Sequence, residues 1–119
     1  MTTRRKESRR GDPVRLADMV AAAAGLAEIF TLGRDRFLSD QLLQDAAVRR
    51  LEVLGEAAGA VSETVRRKHP AVPWRPMRGF ASFSKHEYWR VDPLRLWSIL
   101  ETVNRLRPEI AAVRAERAR

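Results

Sequence analysis

Apolar residues recur every three to four positions along two long stretches of the chain, and no other feature of the sequence constrains the fold as strongly. One face of an α-helix repeats with this period, whereas one face of a β-strand repeats every second residue, and no stretch alternates in that way. The pattern predicts an all-α helical bundle. Gly55 costs roughly 1 kcal/mol relative to alanine inside a helix, so we expect it to permit a close helix crossing. The recurring positions are Leu16, Met19, Val20, Ala23, Leu26, Ile29 and Phe30, then Leu43, Ala47, Leu51, Leu54, Ala58 and Val61.

Capping residues predict where the first two helices begin and end. Asp12 before Pro13 indicates the start of the first helix. An aspartate at the N-cap accepts a hydrogen bond from a backbone amide of the first turn, and a proline at the first helical position gives up no helical hydrogen bond. Gly33 indicates the end of this helix, since glycine readily adopts the left-handed backbone that terminates helices. Ser39 or Asp40 is expected to cap the second helix.

The second half of the chain predicts further helices separated by prolines. Residues 62–68 are expected to form a short helix, and a third main helix is expected to run from about Trp74 into residues 83–90. Asp92 and Pro93 repeat the start signal for a last long helix, which Pro108 is expected to bend or interrupt. Its predicted apolar positions are Leu94, Trp97, Leu100, Val103 and Leu106.

The excess of basic residues favours a polyanionic partner. The 119 residues include 23 Lys and Arg against 15 Asp and Glu, for a formal net charge of +8. Arginine-rich surfaces favour nucleic acid or an acidic protein, although arginine richness also follows from the codon bias of some genomes. Residues 1–11 include several basic side chains and show no apolar pattern. We expect them to form a basic disordered arm before a single helical domain over residues 12–119.

The absence of cysteine and of long apolar runs excludes several classes of protein. Without cysteine the chain has no disulfides, no thiolate metal site and no cysteine nucleophile, and it fits a reducing compartment. No apolar run approaches the length of a membrane span. We therefore expect a cytoplasmic protein without a membrane segment, a metal or a cofactor.

Two kinds of side chain that could bind ligands are expected to be structural or exposed. His69 has no second histidine or carboxylate cluster at metal spacing, so we expect it to be exposed rather than a metal ligand. Trp74, Trp89 and Trp97 lie near prolines or on an apolar stripe, and we expect them to anchor packing rather than to stack on bases.

The segment "FSKHEYWR", residues 83–90, concentrates reactive side chains. Arg78, Ser82 and His86 are spaced by four and would share one helix face, with Lys85 at its edge. A histidine that takes the 2′-hydroxyl proton and a guanidinium that stabilises a phosphorane suit metal-independent RNA cleavage. A lone histidine in a polar row is also compatible with a structural or merely exposed role.

A longer stretch, residues 40–97, resembles the HepT family of HEPN-domain proteins. The segments "RRLEVLGEA", "PW" and "HEY-x-x-VD" carry the resemblance in this order and spacing. It implies an all-α bundle that forms a homodimer with its active motifs in a shared cleft, and it implies a ribonuclease toxin. The implied antitoxin is an MntA-type nucleotidyltransferase, which transfers AMP to the tyrosine of the motif.

The family motif consists of Arg, four residues, His, one residue and Tyr, with Asn after the Arg. His86 and Tyr88 occupy the His and Tyr positions, which makes Tyr88 the implied AMP acceptor. Ala81 occupies the Arg position and Ser82 the Asn position. Alanine cannot stabilise a phosphorane. Three explanations stay open: Arg78 replaces the motif Arg, the toxin is naturally degenerate, or Ala81 is a deliberate inactivating change.

These observations leave three functional hypotheses. The first is a HEPN ribonuclease toxin that cleaves RNA without metal. The second is a catalytically inactive HepT-like module that binds its nucleotidyltransferase antitoxin. The third is a small basic helical nucleic-acid-binding protein, against which the scattered basic residues and the lack of a helix-turn-helix signature argue.

Overall fold

Every regular element that the structure describes is helical, as the apolar periodicity predicts. The structure is a computed structural model that describes the backbone of residues 2–83 and 92–118 and the side chains of residues 11–83 and 92–116. None of the described helices is long and apolar enough to cross a membrane. The elements are α1 (Thr2–Thr31), α2 (Arg34–Leu38), α3 (Gln41–Ala60), α4 (Glu63–Lys68), α5 (Trp74–Gly79), the 3-10 helix η1 (Phe80–Ser82) and α6 (Pro93–Ala118).

The three long helices are arranged with α1 in the middle. Helix α1 packs along both α3 and α6, while α3 and α6 touch each other little. Contacts near the helix ends show that α1 is antiparallel to both neighbours, since Asp12 meets Ser62 and Phe30 meets Trp97. Helix α5 and η1 also pack against α3, which therefore contacts both α1 and the segment that leads to residue 83.

The predicted apolar stripes form the core, with one exception. On α1 and α3, all the predicted positions are buried or pack against the buried cluster. On α6, Leu94 is 51% exposed, so its predicted place in the core is wrong, and Leu96 is buried instead at 1%. Leu94 lies in the first turn of α6, where the helix has only just begun. Helix α6 continues through Pro108, so the expected interruption there is wrong.

Most of the predicted helix ends are confirmed. The Asp40 carboxylate caps α3 by accepting from the amides of Leu42 and Leu43, at 3.0 and 3.3 Å. The Asp92 carboxylate accepts from the amide of Arg95 at 3.1 Å, beside Pro93 at the start of α6. Gly33 follows α1 with a φ of 96°, a backbone conformation that strongly favours glycine.

Asp12 does not cap a helix start, contrary to the prediction. Helix α1 begins at Thr2 and runs through Pro13. Asp12 is 1% exposed, and its carboxylate accepts from the amide and the hydroxyl of Ser62, at 2.8 and 2.7 Å. The expected start at Asp12 is wrong because this carboxylate serves another helix. That residues 1–11 act as a separate, dispensable arm stays a prediction.

The short helix α2, which the sequence pattern did not predict, closes the end of the bundle at which α6 begins. Phe37 of α2 is fully buried, and its ring lies 5.4 Å from that of Trp97. Trp97 also stacks on Phe30 of α1, with ring centroids 4.7 Å apart. The buried Gln44 side chain donates to the carbonyl of Phe37 at 3.0 Å, which satisfies a carbonyl at the end of α2. These contacts join α1, α2, α3 and α6.

Candidate functional site

The segment that precedes the reactive residues crosses α3 at very short distance. A Cβ atom placed on Gly55 of α3 would meet the backbone nitrogen of Ala81, and it would lie 2.7 Å from the carbonyl oxygen of Met77. Only glycine leaves room for this crossing, so the predicted role of Gly55 is confirmed. The crossing fixes the position of Ala81, the residue at which the sequence analysis expects the motif arginine.

The helix that carries the site tightens just before the reactive segment. Helix α5 ends at Gly79, and Phe80–Ser82 form a 3-10 turn in which the Ser82 hydroxyl donates to the Gly79 carbonyl at 3.2 Å. In a 3-10 helix, side chains three residues apart eclipse each other, whereas those four apart diverge. The 3-10 turn interrupts the α-helix that the expected row of Arg78, Ser82 and His86 assumes. Because His86 lies outside the described residues, the row itself stays a prediction.

Arg78 and Ala81 lie beside α3, one turn apart. The exposed Arg78 side chain passes over Gly59 of α3, where its Cγ and Nε atoms lie 3.8 Å from a Cβ atom placed on that glycine. Ala81, one turn later, is half-buried beside Gly55. The Arg78 side chain thus runs along α3 toward α4, while the backbone of Ala81 lies one turn earlier on α3, beside Gly55.

The reactive segment itself starts from a firmly packed residue. Phe83 is 6% exposed, and its ring meets that of Phe80 edge to face at 5.3 Å. His86, Tyr88 and Lys85 lie in residues 84–91, outside the described residues, as does Trp89. The chain is described again from Asp92, the cap of α6. Two packed elements therefore hold the ends of the segment that carries the predicted histidine and tyrosine.

A groove lined by arginines lies between α4 and α5, and the motif analysis did not identify it. It has a volume of about 400 Å³ and is lined by Glu63, Arg66, Arg67, Trp74, Arg75 and Arg78, here called the arginine groove. Arg67 pairs with Glu63 at 2.7 Å. The other three arginines make no ion pair with a described carboxylate. The arginines are visible in the sequence, but only the fold of the proline-rich connection brings α4 and α5 together.

The connection between α4 and α5 is held by His69 and Trp74. His69 is only 16% exposed at its side chain, and its Nε2 atom lies 3.5 Å from a carboxylate oxygen of Glu116, so the expectation of an exposed histidine is wrong. The Trp74 indole N–H donates to the His69 carbonyl at 2.9 Å. Trp74 and Trp97 are buried, which confirms their predicted role in packing. The described side chains include no cluster of three or more His, Asp or Glu that could hold a metal ion.

The sequence matches a known family over most of its length. The sequence model of the family described as Ribonuclease HepT-like matches residues 19–113. The protein named Putative RNase MJ1380, of Methanocaldococcus jannaschii, is 33% identical over 101 residues, which cover 82% of this chain and 92% of that protein. The protein named Probable ribonuclease HepT, of Thermococcus cleftensis, is 36% identical over 84 residues, 69% of this chain and 76% of that protein. No solved structure matches significantly. The chain belongs to the HepT-like ribonuclease family.

Proposed function

We propose that the chain is the toxin of a HEPN toxin–antitoxin pair, a metal-independent endoribonuclease whose activity is weakened by Ala81. The observation that carries this proposal is the family match over residues 19–113, which includes His86 and Tyr88 at the spacing of the family motif. Its partners are a second copy of the chain, RNA and an MntA-type nucleotidyltransferase.

The proposed reaction needs one base and one cation. His86 takes the proton of a ribose 2′-hydroxyl, and the oxygen attacks the adjacent phosphorus. The bond from phosphorus to the 5′-oxygen of the next nucleotide breaks, which leaves a cyclic phosphate and a 5′-hydroxyl end once that oxygen gains a proton. A guanidinium stabilises the charge that develops on the phosphorane oxygens. A homodimer would place two copies of His86 in one cleft.

Arg78 is an imperfect replacement for the missing arginine. Arg78 precedes Ala81 by one turn, which supports this role, but its side chain runs past Gly59 toward α4. The distance along the helix argues against full activity, since three residues advance the chain by roughly 4.5–6 Å. A catalytic group misplaced by about 1 Å can already lose roughly a hundredfold in rate. Weak cleavage is therefore the expected property of the unmodified chain.

The test is restoration of the arginine. Ala81→Arg should raise RNA cleavage in EDTA by about a hundredfold to a thousandfold, the usual effect of one donor aimed at a developing oxyanion. His86→Ala in this background should abolish the gain, and Arg36→Ala on α2 serves as a control for general loss of charge. If Arg78 has taken over, the parent already cleaves and Arg78→Ala silences it. If neither the parent nor Ala81→Arg cleaves RNA while both remain folded, the ribonuclease proposal fails.

The second candidate function is an inactive HepT-like module that binds the nucleotidyltransferase. Ala81 at the position of the motif arginine is the observation that favours it. Both candidates place Tyr88 as the AMP acceptor, and AMP would block an RNA phosphate through its volume and charge. Mass spectrometry after incubation with the nucleotidyltransferase and ATP should show one added AMP on the parent and none on Tyr88→Phe. Binding and AMP transfer without any cleavage, even in Ala81→Arg, would favour this second function.

A further inference from the structure

The arginine groove is the strongest candidate for a further site, because it concentrates positive charge that the fold does not neutralise. Four arginines and one glutamate line it, and the glutamate is already paired with Arg67. Like charges held this close repel one another, so the arrangement favours an anion that enters the groove. The groove is open to solvent and lies on the helix that continues through η1 to Ala81.

Two features prepare the groove for an anion. Arg66 is half-buried, and its Nε atom is enclosed without a hydrogen-bond acceptor among the described residues. This side chain is thus held by packing, and no protein carboxylate competes for its guanidinium. On the other wall, Arg75 and Arg78 are three residues apart on α5, which places their side chains as neighbours on one helix surface.

The groove is better suited to bind the phosphates of a nucleic acid than its nucleobases. Trp74 lines the groove but is only 9% exposed, so its ring offers no open face on which a nucleobase could stack. Guanidinium groups bind phosphate oxygens in pairs of parallel hydrogen bonds. Contacts of this kind position a nucleic acid without reading its sequence.

We infer that the arginine groove binds the phosphate backbone of RNA and guides the strand toward the position of Ala81. Arg66, Arg67 and Arg75 are binding and positioning residues in this scheme, while Arg78 joins the groove to the reaction site. The inference rests on the proposed function for the choice of RNA over an acidic protein. The continuity of the groove with the motif segment supports that choice.

The test measures RNA binding rather than cleavage. A fluorescein-labelled single-stranded RNA of about ten nucleotides is titrated in the His86→Ala background, so that the strand stays intact. Each phosphate contact with a single strand contributes about 0.7 to the slope of log affinity against log salt concentration. One contact therefore makes the affinity about fivefold higher at 0.1 M salt than at 1 M salt. Arg75→Gln should therefore weaken binding about fivefold at 0.1 M salt and lower the slope by about 0.7.

Two matched variants make the test specific. Glu63→Gln removes the only carboxylate of the groove and should tighten binding, a result that a merely structural role for the groove does not produce. Arg36→Gln removes the same charge as Arg75→Gln at the far end of the bundle, beyond the screening length of about 10 Å at 0.1 M salt, and should leave affinity nearly unchanged. Thermal unfolding of all variants checks that they are folded.

Several outcomes overturn the inference. Equal losses from Arg36→Gln and Arg75→Gln would show that net charge alone binds RNA. Tighter or equal binding in Arg75→Gln, or weaker binding in Glu63→Gln, would place the RNA elsewhere. Competition by polyglutamate as strong as that by unlabelled RNA would assign the groove to an acidic protein. If the groove variants behave as expected but Ala81→Arg does not cleave, the inference stands and the ribonuclease proposal alone fails.

Discussion

Replacing Gly55 with alanine should destabilise the protein, although alanine is the better helix former. Gly55 lies inside α3, where the exchange by itself would stabilise the helix by about 1 kcal/mol. The new Cβ atom would meet the backbone of the crossing segment at Ala81, and it would lie 2.7 Å from the Met77 carbonyl oxygen and 3.0 Å from the Phe80 carbonyl carbon. Backbone atoms cannot rotate away as a side chain can.

The size of the effect follows from these two opposing contributions. Ordinary contact requires about 3.4–4 Å, so α5 and η1 must move away from α3 by about 1 Å. Overpacking of this kind costs about 1–3 kcal/mol, and contact with three backbone atoms favours the upper end. After subtraction of the helix gain, the free energy of unfolding should fall by about 2 kcal/mol. The melting temperature should fall by about 8 °C for a domain of this length.

Gly59→Ala is the matched control for this prediction. Gly59 lies one turn later on α3, and a Cβ atom there would meet only the Arg78 side chain, at 3.8 Å. This exchange should raise the free energy of unfolding by about 0.5 kcal/mol, since the position is near the end of the helix. Urea unfolding followed by circular dichroism measures both variants under the same conditions.

The result that would refute the reasoning is a Gly55→Ala variant as stable as Gly59→Ala. Such a result would mean that α5 and η1 do not cross α3 at Gly55. The crossing also predicts an effect on activity, because it positions residue 81. In the Ala81→Arg background, Gly55→Ala should lower RNA cleavage by about a hundredfold at temperatures where the protein stays folded, since a shift of about 1 Å misplaces the guanidinium.

Three further predictions concern stability and can be measured by urea or thermal unfolding. Asp12→Ala leaves the Ser62 amide and hydroxyl without their acceptor and should lower the free energy of unfolding by about 1–3 kcal/mol. Asp12→Asn keeps one acceptor and should lower it less, and equal stability of the parent and both variants would contradict this prediction. Trp97→Ala removes the ring that stacks on Phe30 and should cost about 3–5 kcal/mol, with Trp97→Phe milder, and a loss below about 1 kcal/mol would show that the aromatic cluster adds little. Removal of residues 1–11 should leave the melting temperature nearly unchanged, and a fall of many degrees would show that these residues pack.

The sequence predicted those parts of the fold that depend on neighbouring residues. The caps Asp40 and Asp92 act on amides two or three residues away, so the local pattern was sufficient to identify them. The apolar stripes of α1 and α3 were also predicted from local sequence, because apolar residues that recur with the helix period are the ones that the fold buries. Gly55 could be recognised because glycine inside a long helix needs a compensating reason, here the crossing.

The errors arise where a distant partner or a short element decides the structure. Asp12 has the local signature of a cap, but its acceptor oxygens are used by Ser62, fifty residues away in the sequence. His69 is partly covered through Glu116 on α6, which no local pattern reveals. The 3-10 turn at Phe80–Ser82 is too short to alter the apolar periodicity. The spacing of four between Arg78, Ser82 and His86 suggested one continuous α-helix, so the sequence did not reveal this turn.

The candidate site was predicted only in its chemistry. The spacing of His86 and Tyr88 and the resemblance predicted the motif and the departure at Ala81, and both stay predictions. The neighbouring arginine groove needed the fold, because its two walls come from helices separated by a connection with two prolines. Net charge alone had indicated a polyanionic partner without a place for it to bind.

The bonds between Asp12 and Ser62 make the start of α4 dependent on a different helix. In the local capping box, an acidic side chain three residues after the cap reaches back to the cap's own amide. Here that residue is Val65, which cannot do so, and Asp12 of α1 supplies the carboxylate instead. A helix of six residues is not stable alone, so α4 should form only once α1 has docked. The Ser62 amide hydrogen should consequently exchange with solvent as slowly as those of the long helices, and it would report directly on when one wall of the arginine groove is assembled.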